Sequence, residues 1–129
     1  MSESPTETSP ADSATLVAQL KALAEPNRLR IVQVLMQGVH CNCEIVALLG
    51  LAPNLISHHV RVLREAGLVE VERDEVDGRW IYYDLNREAL DTLLRTLDDS
   101  FDPALIKDRQ PVFGPRSCPT RFEENRKAA

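Results

Sequence analysis

Apolar positions recur with helical spacing along the first two thirds of the chain. Leu16, Leu20 and Leu23 fall at i, i+4 and i+7, a single stripe on a helix that Ser13 is placed to cap. Pro26 suits the first turn of a second helix, which runs to about Gln37 and stops at Gly38. Its apolar residues Leu29, Ile31, Val32, Val34, Leu35 and Met36 occupy more than one stripe, which predicts a central helix. A short third helix covers roughly 43–49 and ends at Gly50, and a fourth runs from Pro53 to about Ala66 with Gly67 after it. Two short helices joined by "GLAP" predict a helix-turn-helix.

The period then changes from helical to alternating. Val69 and Val71 alternate with Glu70 and Glu72 in a half-buried strand, and Asp77-Gly78 signals a hairpin turn. The return strand puts Ile81, Tyr83 and Leu85 on one face and Trp80 and Tyr82 on the other. A hairpin directly after a helix-turn-helix is a wing, and the pair is far more specific than either part. A last helix, about 87–99, carries Leu90, Leu93, Leu94 and Leu97. The expected fold class is therefore mainly α with a β-hairpin wing: a winged helix-turn-helix of about five helices. The Leu16-Leu20-Leu23 and Leu90-Leu93-Leu94-Leu97 stripes read as the surface of a homodimer; the alternative is that the first and last helices pack on each other within one chain.

Composition divides the 129 residues into three parts. Residues 1–12, rich in Ser, Thr, Pro and acids, form an expected disordered tail. Residues 13–100 form the expected winged helix-turn-helix domain with its dimer surface. Residues 101–129 form a tail broken by Pro103, Pro111, Pro115 and Pro119 and carrying Cys118. The formal net charge of −5 gives no bulk attraction to nucleic acid or to an acidic membrane. The N-terminus has no basic flank before an apolar run, and no run of about eighteen apolar residues exists, so the chain reads as cytoplasmic with no membrane partner. Three cysteines without a secretory signal fit a reducing compartment. There is no C-x-x-C, no phosphate-binding Gly loop and no strand-rich α/β pattern, which argues against an enzyme or an organic cofactor.

At about 100° per residue, the fourth helix turns Ala52, Ile56, His59, Val60 and Leu63 to one side and Asn54, Ser57, His58, Arg61 and Glu65 to the other. Asn and Arg read adenine and guanine edges bidentately, and Ser or His donates to bases or phosphates. With Arg64 on the same helix, and with Arg73 and Arg79 flanking the hairpin tip, the candidate contacts to double-stranded DNA are Asn54, Ser57, His58, Arg61, Arg64, Arg73 and Arg79. Against this, residues 54–79 hold four arginines and six acids, so nonspecific DNA affinity is expected to be poor. His59, on the core side, reads as a structural histidine.

"LAEPNRLRIVQVL", "CNCEI" and "LISHHVRVLREAGLVEVERDEVDGRWIYYDL" together resemble the ArsR/SmtB family of metal-responsive repressors over roughly residues 14–100. The resemblance implies a homodimeric winged helix-turn-helix on an inverted-repeat operator, released when a metal or metalloid binds. One group of the family places His and carboxylate ligands on the last helix, where this chain has no His; another uses thiolates in the recognition helix, where it has no Cys. Cys41-Asn42-Cys43 is similar to the Cys-x-Cys of the arsenic-sensing group, but the third cysteine of that motif is replaced by Val46. Family members also often carry Ser or Thr where this chain has Ala52.

In mid-helix, residues i and i+2 point about 200° apart and share no small ion. At a helix start, with Asn42 as the expected N-cap, both thiols are free to converge. Trivalent arsenic or antimony is soft and favours three sulfurs. Cys118 is the remaining thiol, and the chain from Phe101 to it spans at most about 55–60 Å, enough to reach the pair of either protomer. The expected ligand set for As(III) or Sb(III) is therefore Cys41, Cys43 and Cys118. Two readings in the same fold compete. One is a thiol redox or persulfide sensor using Cys118 with Cys41 or Cys43. The other is a cadmium-, zinc- or lead-responsive repressor drawing on His40 and Glu44.

Overall fold

The computed structural model describes residues 10–117 and 119. Residues 1–9, most of the expected N-terminal tail, and Cys118 with the end of the C-terminal tail lie outside the described residues. The elements run α1 (Pro10–Leu23), α2 (Pro26–Leu35), β1 (His40–Cys41), α3 (Asn42–Leu49), α4 (Pro53–Glu65), β2 (Val69–Arg73), β3 (Ile81–Leu85) and α5 (Arg87–Phe101), then a 3-10 turn over Pro103–Leu105. This is the five-helix, winged arrangement expected. α1 begins three residues ahead of the Ser13 cap read from the sequence.

Local chemistry sets most boundaries. Glu25 caps α2, accepting from the Arg28 amide at 2.8 Å, and Pro26 presets the first turn. α4 has no side-chain cap at Ala52 and relies on Pro53. It closes in a Schellman motif: the Gly67 amide donates to the Arg64 carbonyl at 2.9 Å and the Leu68 amide to the Leu63 carbonyl at 3.0 Å. The φ of +83° at Gly67 is the left-handed geometry this requires. Asn86 caps α5, accepting from the Ala89 amide at 3.0 Å.

The sheet has three strands in the order β1-β3-β2, all antiparallel, with His40 opposite Tyr83, Cys41 opposite Tyr82, and Arg73 opposite Ile81. β1 is an addition to the expected two-stranded wing. The hairpin signalled by Asp77-Gly78 forms, and the chain turns there, the Trp80 amide donating to the Asp77 carbonyl at 3.0 Å. The loop is longer than the dipeptide alone, spanning residues 74–80. Asp74 organises its first half: its carboxylate accepts from the amides of Val76 at 3.0 Å and Asp77 at 2.9 Å.

The core gathers Ile31 from α2, Ile45 from α3, Ile56 and Leu63 from α4, and Leu68 before β2, all fully buried. Gln19 is a buried polar residue of α1, and its Nε2 donates to the Ala66 carbonyl at the end of α4 at 3.3 Å. Of the seven leucines expected at a dimer surface, Leu93 is buried within the protomer. Leu16, Leu23, Leu90 and Leu97 pack partly against the core, while Leu20 and Leu94 are exposed. α1 and α5 touch within one chain, so the two stripes are partly consumed by each other.

Candidate nucleic-acid interface and thiol site

α3 and α4 meet at a bend of 110°, within the range of a helix-turn-helix. Ile56, His59, Val60 and Leu63 hold α4 to the core, which turns Asn54, Ser57, His58, Arg61 and Arg64 to solvent. Ala52, expected on the core side, is exposed at the helix start.

His59 fixes the orientation of that helix. It is 6 % exposed, and its Nδ1 lies 3.3 Å from Arg28 Nη1 and 3.9 Å from Glu25 Oε1. Burial lowers its pKa, with the Glu25 charge opposing and the Arg28 charge reinforcing the shift. Neutral His59 therefore accepts from the Arg28 guanidinium, whose Nε is committed to the Ala22 carbonyl at 2.7 Å. Glu25, Arg28 and His59 thus lock α2 to α4.

The wing arginines are less free than the helix arginines. Arg73 Nη1 donates to the Gly78 carbonyl at 2.7 Å, inside the wing loop. Arg79 is gripped by Asp77 through Nε to Oδ1 at 3.0 Å and Nη2 to Oδ2 at 2.9 Å. That fork holds the Asp77 carboxyl below its ordinary range and raises Arg79.

The two described cysteines sit where β1 becomes α3. Cys41, not Asn42 as expected, is the N-cap (φ −83°, ψ 164°), and Cys43 is the second residue of the helix. The displacement follows from Glu44, whose Oε1 accepts from the Cys41 amide at 2.9 Å, the reciprocal half of a capping box. This bond is the main cause holding the Glu44 carboxyl below its ordinary range. The signal was present as C-x-x-E, with Cys in the place usually held by Ser or Thr. Cys41 is half-buried and Cys43 exposed. His40 Nδ1 lies 2.7 Å from the Gly38 carbonyl. A carbonyl only accepts, so Nδ1 carries a proton in this contact. Among the described residues no three His, Cys, Asp or Glu side chains gather into a metal-sized cluster. The expected third thiol, Cys118, lies outside them.

Sequence reading missed the groups behind this site. Asn42, between the cysteines, receives the Tyr83 hydroxyl on Oδ1 at 3.5 Å. Tyr83 is 3 % exposed on the central strand. Burial raises its phenol above the ordinary range, and the Ser57 side chain and the Arg73 charge oppose that rise. No spacing in the sequence joins residues 42 and 83; they meet because β1, which leads into α3, pairs with β3.

Residues 25–71 match the profile of the family described as bacterial regulatory protein, arsR family. The chain is similar to the arsenical resistance operon repressor of Bacillus subtilis (strain 168), 36 % identical over 77 residues covering 59 % of this chain and 70 % of that one. It is 34 % identical over 89 residues to a transcriptional repressor SmtB homolog of Synechocystis sp. (strain ATCC 27184 / PCC 6803 / Kazusa), covering 68 % of this chain and 65 % of that one. A solved structure described as a possible transcriptional regulator for arsenical resistance superposes with a TM-score of 0.57 at 40 % identity, covering 70 % of this chain and 88 % of that chain.

Proposed function

The chain belongs to the ArsR/SmtB family of bacterial regulatory proteins, DNA-binding transcriptional regulators rather than enzymes, and on that premise we propose that it is an arsenic-sensing member. In this reading it acts as a cytoplasmic homodimer on an inverted-repeat operator. It leaves that operator when As(III) or Sb(III) is bound by Cys41, Cys43 and Cys118. The observation that carries the reading is the seating of Cys41-Asn42-Cys43 at the first turn of α3, the helix that leads into the DNA-reading helix α4.

The donor set suits such an ion. Both described thiols reach solvent, the start of a helix favours anions, and soft trivalent ions prefer sulfur. The length of chain after α5 is enough for Cys118 to supply the third thiol. The similarity to an arsenical resistance operon repressor supports the same choice.

The protein's own residues do the rest. Asn54, Ser57, His58, Arg61 and Arg64 enter the major groove from α4, and Arg73 and Arg79 approach the backbone from the wing. Two such helices must sit about 34–36 Å apart to meet successive half-sites. Turning Cys41 and Cys43 toward a common centre disturbs the first turn of α3, and a small reorientation of α4 then weakens both half-sites together. Gel shifts on the protein's own upstream sequence, with arsenite, antimonite, cadmium, zinc and lead, test this. Arsenite should release the wild type and fail to release Cys41→Ser, Cys43→Ser and Cys118→Ser at the same concentration. Release of Cys118→Ser at an unchanged concentration removes the tail from the site.

One observation favours a second reading, a cadmium- or zinc-responsive repressor. His40 stands next to Cys41, and its Nδ1 contact to the Gly38 carbonyl leaves Nε2 as the nitrogen open to a metal. Release by cadmium that His40→Ala abolishes, with arsenite inert, selects it.

A further inference from the structure

Asparagine is among the residues that cap a helix best, and cysteine is not. Yet Cys41 is the N-cap of α3, and Asn42, one place on, is its first residue. The choice is tipped by the residue three places further along. Glu44 stands three places after Cys41. Its Oε1 accepts from the Cys41 amide at 2.9 Å while the Cys41 side chain faces the Glu44 amide, the two halves of a capping box. Three places after Asn42 stands Ile45, fully buried and with no polar side-chain atom to reach back. A start at Asn42 has a good cap and no box; the start at Cys41 has a poor cap and a box. Asn42 Oδ1 meanwhile takes the Tyr83 hydroxyl at 3.5 Å, longer than the usual hydroxyl range of about 2.5–3.0 Å, and so is weakly held.

We propose that Glu44 is the positioning residue of the thiol site: its carboxylate holds α3 in the Cys41-capped register, and the inducer binds the register in which Asn42 takes over the cap. The inference rests on the reading of Cys41 and Cys43 as ligands.

In the observed register Cys41 is committed twice, its amide to Glu44 and its side chain to the mouth of the helix. Shifting the start by one residue undoes both. Asn42 Oδ1 then accepts from the Glu44 or Ile45 amide, so the first turn keeps a cap. Cys41 becomes the residue before the cap. Its backbone is no longer set by the helix, and its thiol is free to swing toward Cys43. The Cys41 amide, released from Glu44, is met by water at this half-exposed position. Arsenite, As(OH)3, then exchanges a hydroxide for each thiolate; the thiol proton leaves with that hydroxide as water, and no oxidant is needed. An inducer that binds one register of two has its apparent affinity reduced by the fraction of molecules in that register. Glu44 thus sets the inducer concentration at which the switch responds, without touching the ion.

The test uses the full-length protein as wild type, Glu44→Ala, Glu44→Gln and Asn42→Ala, with the fold checked by circular dichroism. Arsenite affinity is read by thiolate-to-arsenic absorbance. The alkylation rate of Cys41 by iodoacetamide, without arsenite, is read by peptide mass spectrometry with Cys43 as the internal reference. Glu44→Ala should bind arsenite about three- to tenfold more tightly than wild type, and its Cys41 should alkylate at least about threefold faster. Glu44→Gln removes the same charge but keeps an oxygen for the Cys41 amide, and should stay within about twofold of wild type in both measurements. Asn42→Ala, which removes the alternative cap, should bind arsenite at least about threefold more weakly. Unchanged affinity or unchanged alkylation in Glu44→Ala overturns the inference. So does Glu44→Gln matching Glu44→Ala, which assigns the effect to charge. Glu44 is exposed, so its truncation leaves the core intact; should Glu44→Ala still fold poorly, Asn42→Ala carries the test from the opposite side. A wild type with no thiolate-to-arsenic absorbance overturns the ligand reading and this inference with it. A wild-type band with equal affinities in Glu44→Ala and Asn42→Ala overturns the inference alone.

Discussion

At the wing tip, Asp77 grips the guanidinium of Arg79, a residue proposed to meet a phosphate. The fork between them is fully formed without DNA, and Arg73 is likewise occupied by the Gly78 carbonyl. Phosphate must compete with these partners, in a region whose acids already outnumber its bases. Asp77→Asn keeps an acceptor for the Arg79 amide and removes the charge. We expect it to tighten operator binding by about two- to fivefold and to steepen the slope of log K against log salt by about 0.9, the increment for one more neutralised phosphate. Anisotropy titrations at four salt concentrations measure both quantities. An unchanged slope would mean that Arg79 does not meet the backbone. The pairing of Arg79 with Asp77, two residues apart, could have been suspected from the sequence. The occupation of Arg73 could not, because it depends on a loop that Asp74 folds.

At the scale of elements, the α2–α4 lock has a pH dependence of known sign. Burial lowers the pKa of His59 below the ordinary value of about 6.5, so the unfolded chain binds more protons than the native one as pH falls past that value. The stability is fully present above about pH 6.5 and is lost as pH drops through the folded pKa. Glu25, Arg28 and His58 are the charged or titratable groups that face the ring, and the carboxylate of Glu25 titrates lower still. Thermal midpoints should therefore fall between pH 7 and pH 5 in the wild type and fall less in His59→Gln; parallel curves would clear His59 of the effect. Element identity was largely legible because α4 is thirteen residues long and its apolar positions keep one period, which is enough to place Ile56, His59, Val60 and Leu63 inward from sequence. β1 was illegible because two residues hold no period. The turn at Asp77-Gly78 was legible, but the length of the loop was not, because a side chain, Asp74, organises the residues ahead of the dipeptide.

On the scale of the whole molecule, one protomer leaves Val17 and Leu20 of α1 and Leu94 of α5 in water, at 48 %, 38 % and 57 % exposure. Leu93 is already buried inside, so any partner protomer would be met by the outer residues of the same two helices. The stripes showed which helices are apolar but not how much of each the protomer keeps for itself, since that depends on the α1–α5 packing. Leu94→Glu should leave the protomer folded and convert a dimer to a monomer in sedimentation velocity. Operator affinity should then fall by about tenfold or more, because a monomer holds one half-site of two. A persistent dimer would place the interface elsewhere. Finally, the two-residue length of β1 bears on what kind of switch the proposed sensor would be. The strand route from Cys41 to the wing is two residue pairs, on the order of two hydrogen bonds, or about 1–3 kcal/mol. Coupling of that size would correspond to roughly 5- to 150-fold in DNA affinity per protomer. In the proposed reading the gene under such control would be a dimmer rather than a latch, its expression rising smoothly with the inducer and full release needing both protomers of a dimer to yield together.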